Sequence, residues 1–200
     1  RFADVMHANK ALLRGGVSID HMNTLRRHIS AFNGGRLARA ANGADIVTFA
    51  VSDVPGDKPE IIGSGATTFD PTTFAEARQV VETFGLKLRA GITRHLAAQR
   101  DHSVKEDAPF WRGKYKFEVI ASNRHAVAAA AKHAQQRGVT PIIIDEHITG
   151  NAAAEAKLFA EIARTRTYKG QRIVGPAVLI RGGEAVVKLP KKFDGKGGRV

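Results

Sequence analysis

The residues best equipped for chemistry fall in one stretch. Ser52-Asp53-Val54-Pro55-Gly56-Asp57 is followed by Gly63-Ser64-Gly65 and by Asp70-Pro71-Thr72-Thr73-Phe74. The stretch offers carboxylates, hydroxyls and glycines that let a ligand approach backbone N–H groups. Asp53 and Asp57 could hold Mg²⁺, which takes one or two carboxylates together with water and substrate phosphates. Either could instead act as a general base on a hydroxyl. Asx-turn and cap chemistry would also account for aspartates in a loop. The apolar run Ile46-Val47-Thr48-Phe49-Ala50-Val51 comes directly before it. The loop therefore leaves the carboxyl end of a buried strand, the place where ligand sites gather in open α/β sheets.

A second group is cationic. On a helix over 19–30, Asn23, Arg27 and Ser30 follow one another at i+4 and i+3 and share a face. Arg26 adds another guanidinium, His28 sits on a neighbouring face, and Gly34-Gly35-Arg36 follows. Arginine suits bidentate recognition of phosphate or carboxylate, although an exposed basic helix would look the same. Gly182-Gly183-Glu184 and Gly195-Lys196-Gly197-Gly198-Arg199 could bring backbone N–H groups to phosphate oxygens, or be a hairpin turn and a flexible end. Neither G-x-x-x-x-G-K-[ST] nor a strand-borne G-x-G-x-x-G occurs, which excludes a P-loop and counts against a nicotinamide site. Asp145-Glu146-His147 could ligate a metal, but ordinary loop polarity explains it, and His95, His102, His125 and His133 read as surface residues.

The elements that must position these groups alternate. Helical periodicity covers 4–14, stopped by Gly15-Gly16, and Ser18 is placed to cap the helix from Ile19. Helical composition returns over 37–41. Thr73 with Glu76 forms a capping box opening a helix that ends near Gly85, and 88–99 reads as another helix. Residues 101–114 are polar and irregular. Strands are expected over 45–51, 116–121, 139–145, 177–180 and 185–189, the last two as a hairpin about Gly182-Gly183. Asn123 is expected to cap a helix running to Arg137, and a further helix is expected over 152–165. Strands alternating with helices predict an α/β, Rossmann-like chain with a largely parallel sheet flanked by helices. The hairpin would begin a second, smaller domain.

The 200 residues are 43% hydrophobic and 25% charged, enough for a packed core. No apolar run is long enough to span a membrane. There is no cysteine, so disulfides and thiolate chemistry are excluded. That fits a cytoplasmic protein. The formal charge is +12, which suits a surface attracting small anionic substrates or nucleic acid. With 6% aromatics and no stacking motif, nucleic acid is the weaker reading. Oligomeric state is not legible.

Four blocks, in order, resemble the glycerate 2-kinase family, whose members are often named hydroxypyruvate reductase. They are Asn23-Thr24-Leu25-Arg26-Arg27-His28-Ile29-Ser30 with Gly34-Gly35-Arg36-Leu37-Ala38, the Ser52 to Phe74 stretch, Gly182-Gly183-Glu184 and Gly197-Gly198-Arg199. The resemblance covers essentially the whole chain. It implies a glycerate-kinase large α/β domain over 1–172 and the start of the smaller MOFRL domain over 173–200. It also implies a piece of a longer protein, with a glycine-rich loop and a lysine upstream. The implied reaction is phosphorylation of the 2-hydroxyl of D-glycerate by ATP with Mg²⁺. By the same resemblance, Arg199 and Asp53 are catalytic. Asp53 and Asp57 bind the metal, and Asn23, Arg26, Arg27, His28, Ser64, Gly182, Gly183 and Glu184 bind substrate or phosphate. Arg27 departs from the family's usual lysine, Ala66 from a proline and Arg181 from a serine. NAD(P)H-dependent hydroxypyruvate reduction, a basic anion- or nucleic-acid-binding module and an inactive relative remain as alternatives.

Overall fold

The computed structural model describes residues 2–98, 104–108 and 115–187. Contacts divide the chain into Arg1–Ile120 and Ala121–Val200, upstream of the 172/173 boundary the resemblance implies.

In the first unit, apolar spacing makes the helices and their packing makes the core. Helix α1 (Phe2–Arg14) buries Ala8 and Leu12, and α2 (Ile19–Ile29) buries Leu25 and Ile29. Each pair is separated by four residues and so lies on one face. Helix α3 (Arg36–Ala40) is a short turn after Gly35. Helices α4 (Phe74–Thr83) and α5 (Ala90–Ala97) add Ala77, Val80, Ile92 and Leu96 to the same cluster. The expected capping box opens α4. Glu76 N–H donates to Thr73 Oγ1 at 3.2 Å, and Thr73 N–H donates back to Glu76 Oε2 at 2.7 Å. Ser18 occupies the N-cap of α2 without a side-chain cap bond, and its hydroxyl pairs with His21 Nδ1 instead. Strand β1 (Ile46–Ser52) pairs with β2 (Tyr115–Ser122). Two 3₁₀ turns, Pro55–Asp57 and Ile62–Ser64, lie in the loop that leaves β1.

The second unit holds α6 (Asn123–Gln136), β3 (Thr140–Ile148), α7 (Ala152–Thr165) and three further strands. Ser122, not Asn123, is the N-cap residue of α6. The pair β4 (Thr167–Tyr168) and β5 (Gln171–Arg172) is antiparallel, while β6 (Ala177–Gly183) runs parallel to β3. Helix α6 packs on both β3 and β6.

The expected hairpin does not form. Gly182 and Gly183 end β6 inside the parallel pairing, and Val186 continues alongside Asn151 in a parallel bridge. Close approach of backbones explains the glycines. A Cβ on Gly182 would stand 2.6 Å from the Glu146 carbonyl oxygen, and one on Gly183 would stand 2.5 Å from Ile148 N. The chain is α/β, with parallel strands flanked by helices. Where one larger sheet was expected, the described residues form three two-stranded sheets. No helix among them is long and apolar enough to cross a membrane.

Candidate functional site

Helix α2 sends its polar residues in different directions. Asn23 and Arg27, one turn apart, both face the loop after β1. Asn23 Oδ1 accepts from the Ser64 hydroxyl at 2.9 Å, and Arg27 Nη1 donates to the Glu60 carbonyl at 2.9 Å. Ser30, expected on the same face, turns back at the C-cap, where its Oγ accepts from Phe32 N and Asn33 N. Arg26 leaves toward α1 and donates to Asn9 Oδ1 at 2.8 Å. His28 is buried. Its Nδ1 donates to the Thr24 carbonyl, and its ring meets Phe74 edge-on at 4.7 Å between centroids.

The loop combines an exposed acidic start with a tied-down end. Asp53 is exposed and Asp57 half-buried. The backbone then visits left-handed conformations repeatedly, at Gly56 and Asp57 and again at Gly63, Ser64 and Gly65. Ser64, at φ 56°, carries a side chain where glycine would be at ease. Such a residue persists only when its surroundings hold it. Here they do. Besides the Asn23 bond, the Ser64 and Gly65 carbonyls accept from Gly34 N and Gly35 N at 3.3 and 2.8 Å. This is the work of the Gly34-Gly35 pair. A Cβ on Gly35 would stand 2.8 Å from the Thr68 carbonyl oxygen. Beyond the bend, Thr67 pairs with Thr48 of β1 at 2.8 Å. Burial pushes the nearby Tyr115 phenol up to about 12, against a hydrogen bond with Thr67 that lowers it.

Sequence reasoning missed the centre of this arrangement. Asp70 is fully buried and its Oδ1 lies 2.9 Å from Arg27 Nε, with Arg27 itself only 4% exposed. The same oxygen accepts from Thr72 N at 2.9 Å and Thr72 Oγ1 at 2.6 Å, while Oδ2 lies 3.6 Å from His28 Nε2. Lys105 Nζ donates to the Thr72 and Asp70 carbonyls. Arg36 Nη1 donates to the Arg27 carbonyl and, at 2.9 Å, to that of Asn33. The local bonds from Thr72 to Asp70 make an Asx turn, which the Asp-Pro-Thr-Thr sequence could have signalled. Its long-range pairing with Arg27 carried no local signal. The guanidinium of Arg27 is therefore held among protein acceptors, and the exposed polar groups of this loop lie at its Asp53 end.

The remaining expected residues belong to the second unit. Gly182 and Gly183 sit against β3 as described, and Glu184 is exposed just past β6. Arg181, the departure from the family's serine, is 8% exposed, with Nη1 2.7 Å from Glu155 Oε2 and Nη2 3.7 Å from Asp145 Oδ2. Its charge is thus answered within its own unit. Asp145 also accepts from His147 N at 2.9 Å, an Asx turn. No cluster of three metal-ligating side chains occurs among the described residues. Gly197, Gly198 and Arg199 lie outside them.

Comparison with known proteins fits this architecture. Residues 1–97 match the family model described as "Domain of unknown function (DUF4147)". The chain is 34% identical over 98% of its length to glycerate 2-kinase of Pyrococcus horikoshii, of which it covers 44%. It is 41% identical over 98% of its length to a protein of Agrobacterium vitis named "Putative hydroxypyruvate reductase", of which it covers 50%. The crystal structure of glycerate kinase from Thermotoga maritima superposes with a TM-score of 0.77 at 28% identity, over 99% of this chain and 45% of that one. Fold and matches together define an α/β chain that carries this domain. Along nearly its whole length the chain is similar to glycerate kinases and to proteins named hydroxypyruvate reductase. The chain spans about half the length of the relatives it matches.

Proposed function

We propose that the whole protein is a glycerate 2-kinase, transferring the γ-phosphoryl of ATP to the 2-hydroxyl of D-glycerate. The carrying observation is the loop after β1, where Asp53 is exposed at the strand's carboxyl end and the far end of the same loop is pinned to α2. Phosphoryl transfer depends on positioning and on neutralising charge, and an exposed carboxylate serves both by holding a cation that offsets the charge of the phosphates. Likeness to glycerate kinases along nearly the whole chain supports the reading.

The all-oxygen donors of Asp53 and Asp57 fit Mg²⁺, which needs one or two carboxylates. The ion would draw charge from the ATP phosphates when bound. Asp53 and Asp57 would hold it or orient the acceptor hydroxyl. Asn23, Arg27 and Ser64 would serve this site by holding its loop, and His28 would stand behind them beside Asp70. Arg26, half-buried at the helix end, and Arg199 would offer guanidiniums to phosphate or to the glycerate carboxylate. In the second unit, by the same resemblance, Gly182, Gly183 and Glu184 would bind substrate or phosphate.

The test is a coupled assay of ADP release by the full-length protein with D-glycerate and Mg²⁺. Asp53→Asn is expected to lower turnover by roughly 100-fold or more, the range for losing a positioned acid–base group. Unchanged turnover removes Asp53 from the mechanism. The Agrobacterium relative's name favours one other reading. Loss of reduced-nicotinamide absorbance with hydroxypyruvate, and no glycerate-dependent ADP release, would establish that one instead.

A further inference from the structure

We propose that Asp70 is a positioning residue, acting through Arg27 to hold the 58–65 bend in the shape that the Asp53–Asp57 segment requires. This deepens the kinase reading and rests on it for the catalytic consequence. The mechanical part stands by itself.

The observations form one chain of contacts. Asp70 cannot reach solvent, two donors converge on its Oδ1, namely Thr72 N and Thr72 Oγ1, and Arg27 Nε lies 2.9 Å from the same oxygen as an ion pair. The carboxylate holds the guanidinium by its charge and through Thr72, whose Oγ1 donates to Asp70 and accepts from Arg27 Nη2 at 3.4 Å. A guanidinium is a rigid fork, so holding Nη2 at Thr72 aims Nη1, which donates to the Glu60 carbonyl. One helical turn earlier, Asn23 takes the Ser64 hydroxyl. Two side chains on one face of α2 thus clamp the bend at Glu60 and at Ser64. Around those points the backbone follows its own short-range bonds, Ile62 N to Lys58 O at 3.2 Å and Ser64 N to Ile61 O at 2.9 Å. The left-handed Ser64 conformation is the strained element that this clamp sustains. Upstream, Asp57 N closes on the Val54 carbonyl at 3.0 Å, so displacement of Glu60 is passed toward the acidic segment within a few residues.

Arginine at position 27 is specific to this arrangement. Lysine, a single ammonium on a flexible stem, could meet Asp70 but could not also hold the Glu60 carbonyl with a fixed second edge. Asp70 and Arg27 therefore act as one unit.

The test uses the full-length protein and two variants, Asp70→Asn and the apolar pair Arg27→Met with Asp70→Leu. The pair removes both charges together, which spares a fold the isolated buried ion. Two readouts are taken, amide hydrogen exchange and steady-state kinetics with ATP and D-glycerate. In the folded pair variant, exchange at Gly34, Gly35 and Gly65 is expected to quicken while α4 stays as protected as in the parent. The kcat is expected to fall by roughly tenfold or more, the scale of a small misplacement near the reacting atoms, with KM for ATP within about threefold. If the pair does not fold, Asp70→Asn carries the same two readings. Parent-like exchange at the bend, or a kcat equal to the parent's in a variant whose bend has loosened, overturns the proposal. A parent protein without glycerate-dependent ADP release overturns the kinase reading, while the exchange result still judges the clamp.

Discussion

Replacing Asp70 with alanine isolates the energetics of the buried polar cluster. The side chain lost is wholly inaccessible, and its partner Arg27 is almost so. Arginine cannot shed its proton in a protein, so the guanidinium stays charged in the space left behind. Breaking a buried pair by removing one partner costs about 3–5 kcal/mol, because an uncompensated charge remains. Thr72 N and Oγ1 lose an acceptor as well, each worth about 1 kcal/mol in isolation. These terms share one site and do not add, so the expected loss stays near about 4 kcal/mol. That is a large part of the roughly 5–15 kcal/mol that holds a domain together. In urea, with a slope of about 2 kcal/mol per molar, the midpoint should fall by about 2 M. Asp70→Asn should lose less, since an amide oxygen can still accept from Thr72. Because the pair is out of reach of solvent ions, the difference between parent and Asp70→Ala should persist at about 1 M salt, where exposed pairs are screened within roughly 3 Å. A loss below about 1 kcal/mol, the value of an exposed pair, or a difference that vanishes in salt, would refute the placement of this carboxylate at the centre of the cluster.

Two other outcomes test separate parts of the first unit. Thr73→Ala removes one half of the reciprocal cap at the start of α4 and should cost about 1 kcal/mol by urea denaturation, whereas the same change at Ser18, which makes no cap bond, should cost distinctly less. Tyr115 should ionise only near pH 12, because burial disfavours the phenolate. A difference titration at the phenolate absorbance band between the parent and Tyr115→Phe reads this directly. The folded pKa lies above the ordinary value of about 10, so the unfolded chain releases this proton first. Stability from this group is thus complete below pH 10 and drains away as pH rises through about 12. A midpoint near 10 would place the ring in solvent.

What the chain declared in one dimension was whatever depends on neighbours. Four-residue apolar spacing produced α1, α2 and α5, and the Thr73/Glu76 signature placed the start of α4 at its residue. The run from Ile46 gave a strand ending where its acidic loop begins, and the ordered motif blocks already resembled the proteins that the chain matches. What folding alone decided was where polar side chains go once distant segments meet. Arg27 and Thr72 stand 45 positions apart, so nothing local says that one guanidinium of the adjacent pair turns inward while Arg26 turns to Asn9. Local propensity makes Gly182-Gly183 a turn. The long-range pairing with β3 overrides it, because parallel strands held this closely leave no room for a Cβ. Short-range periodicity is encoded by adjacency. Charge pairing and backbone approach are properties of contacts that exist only after the chain has closed.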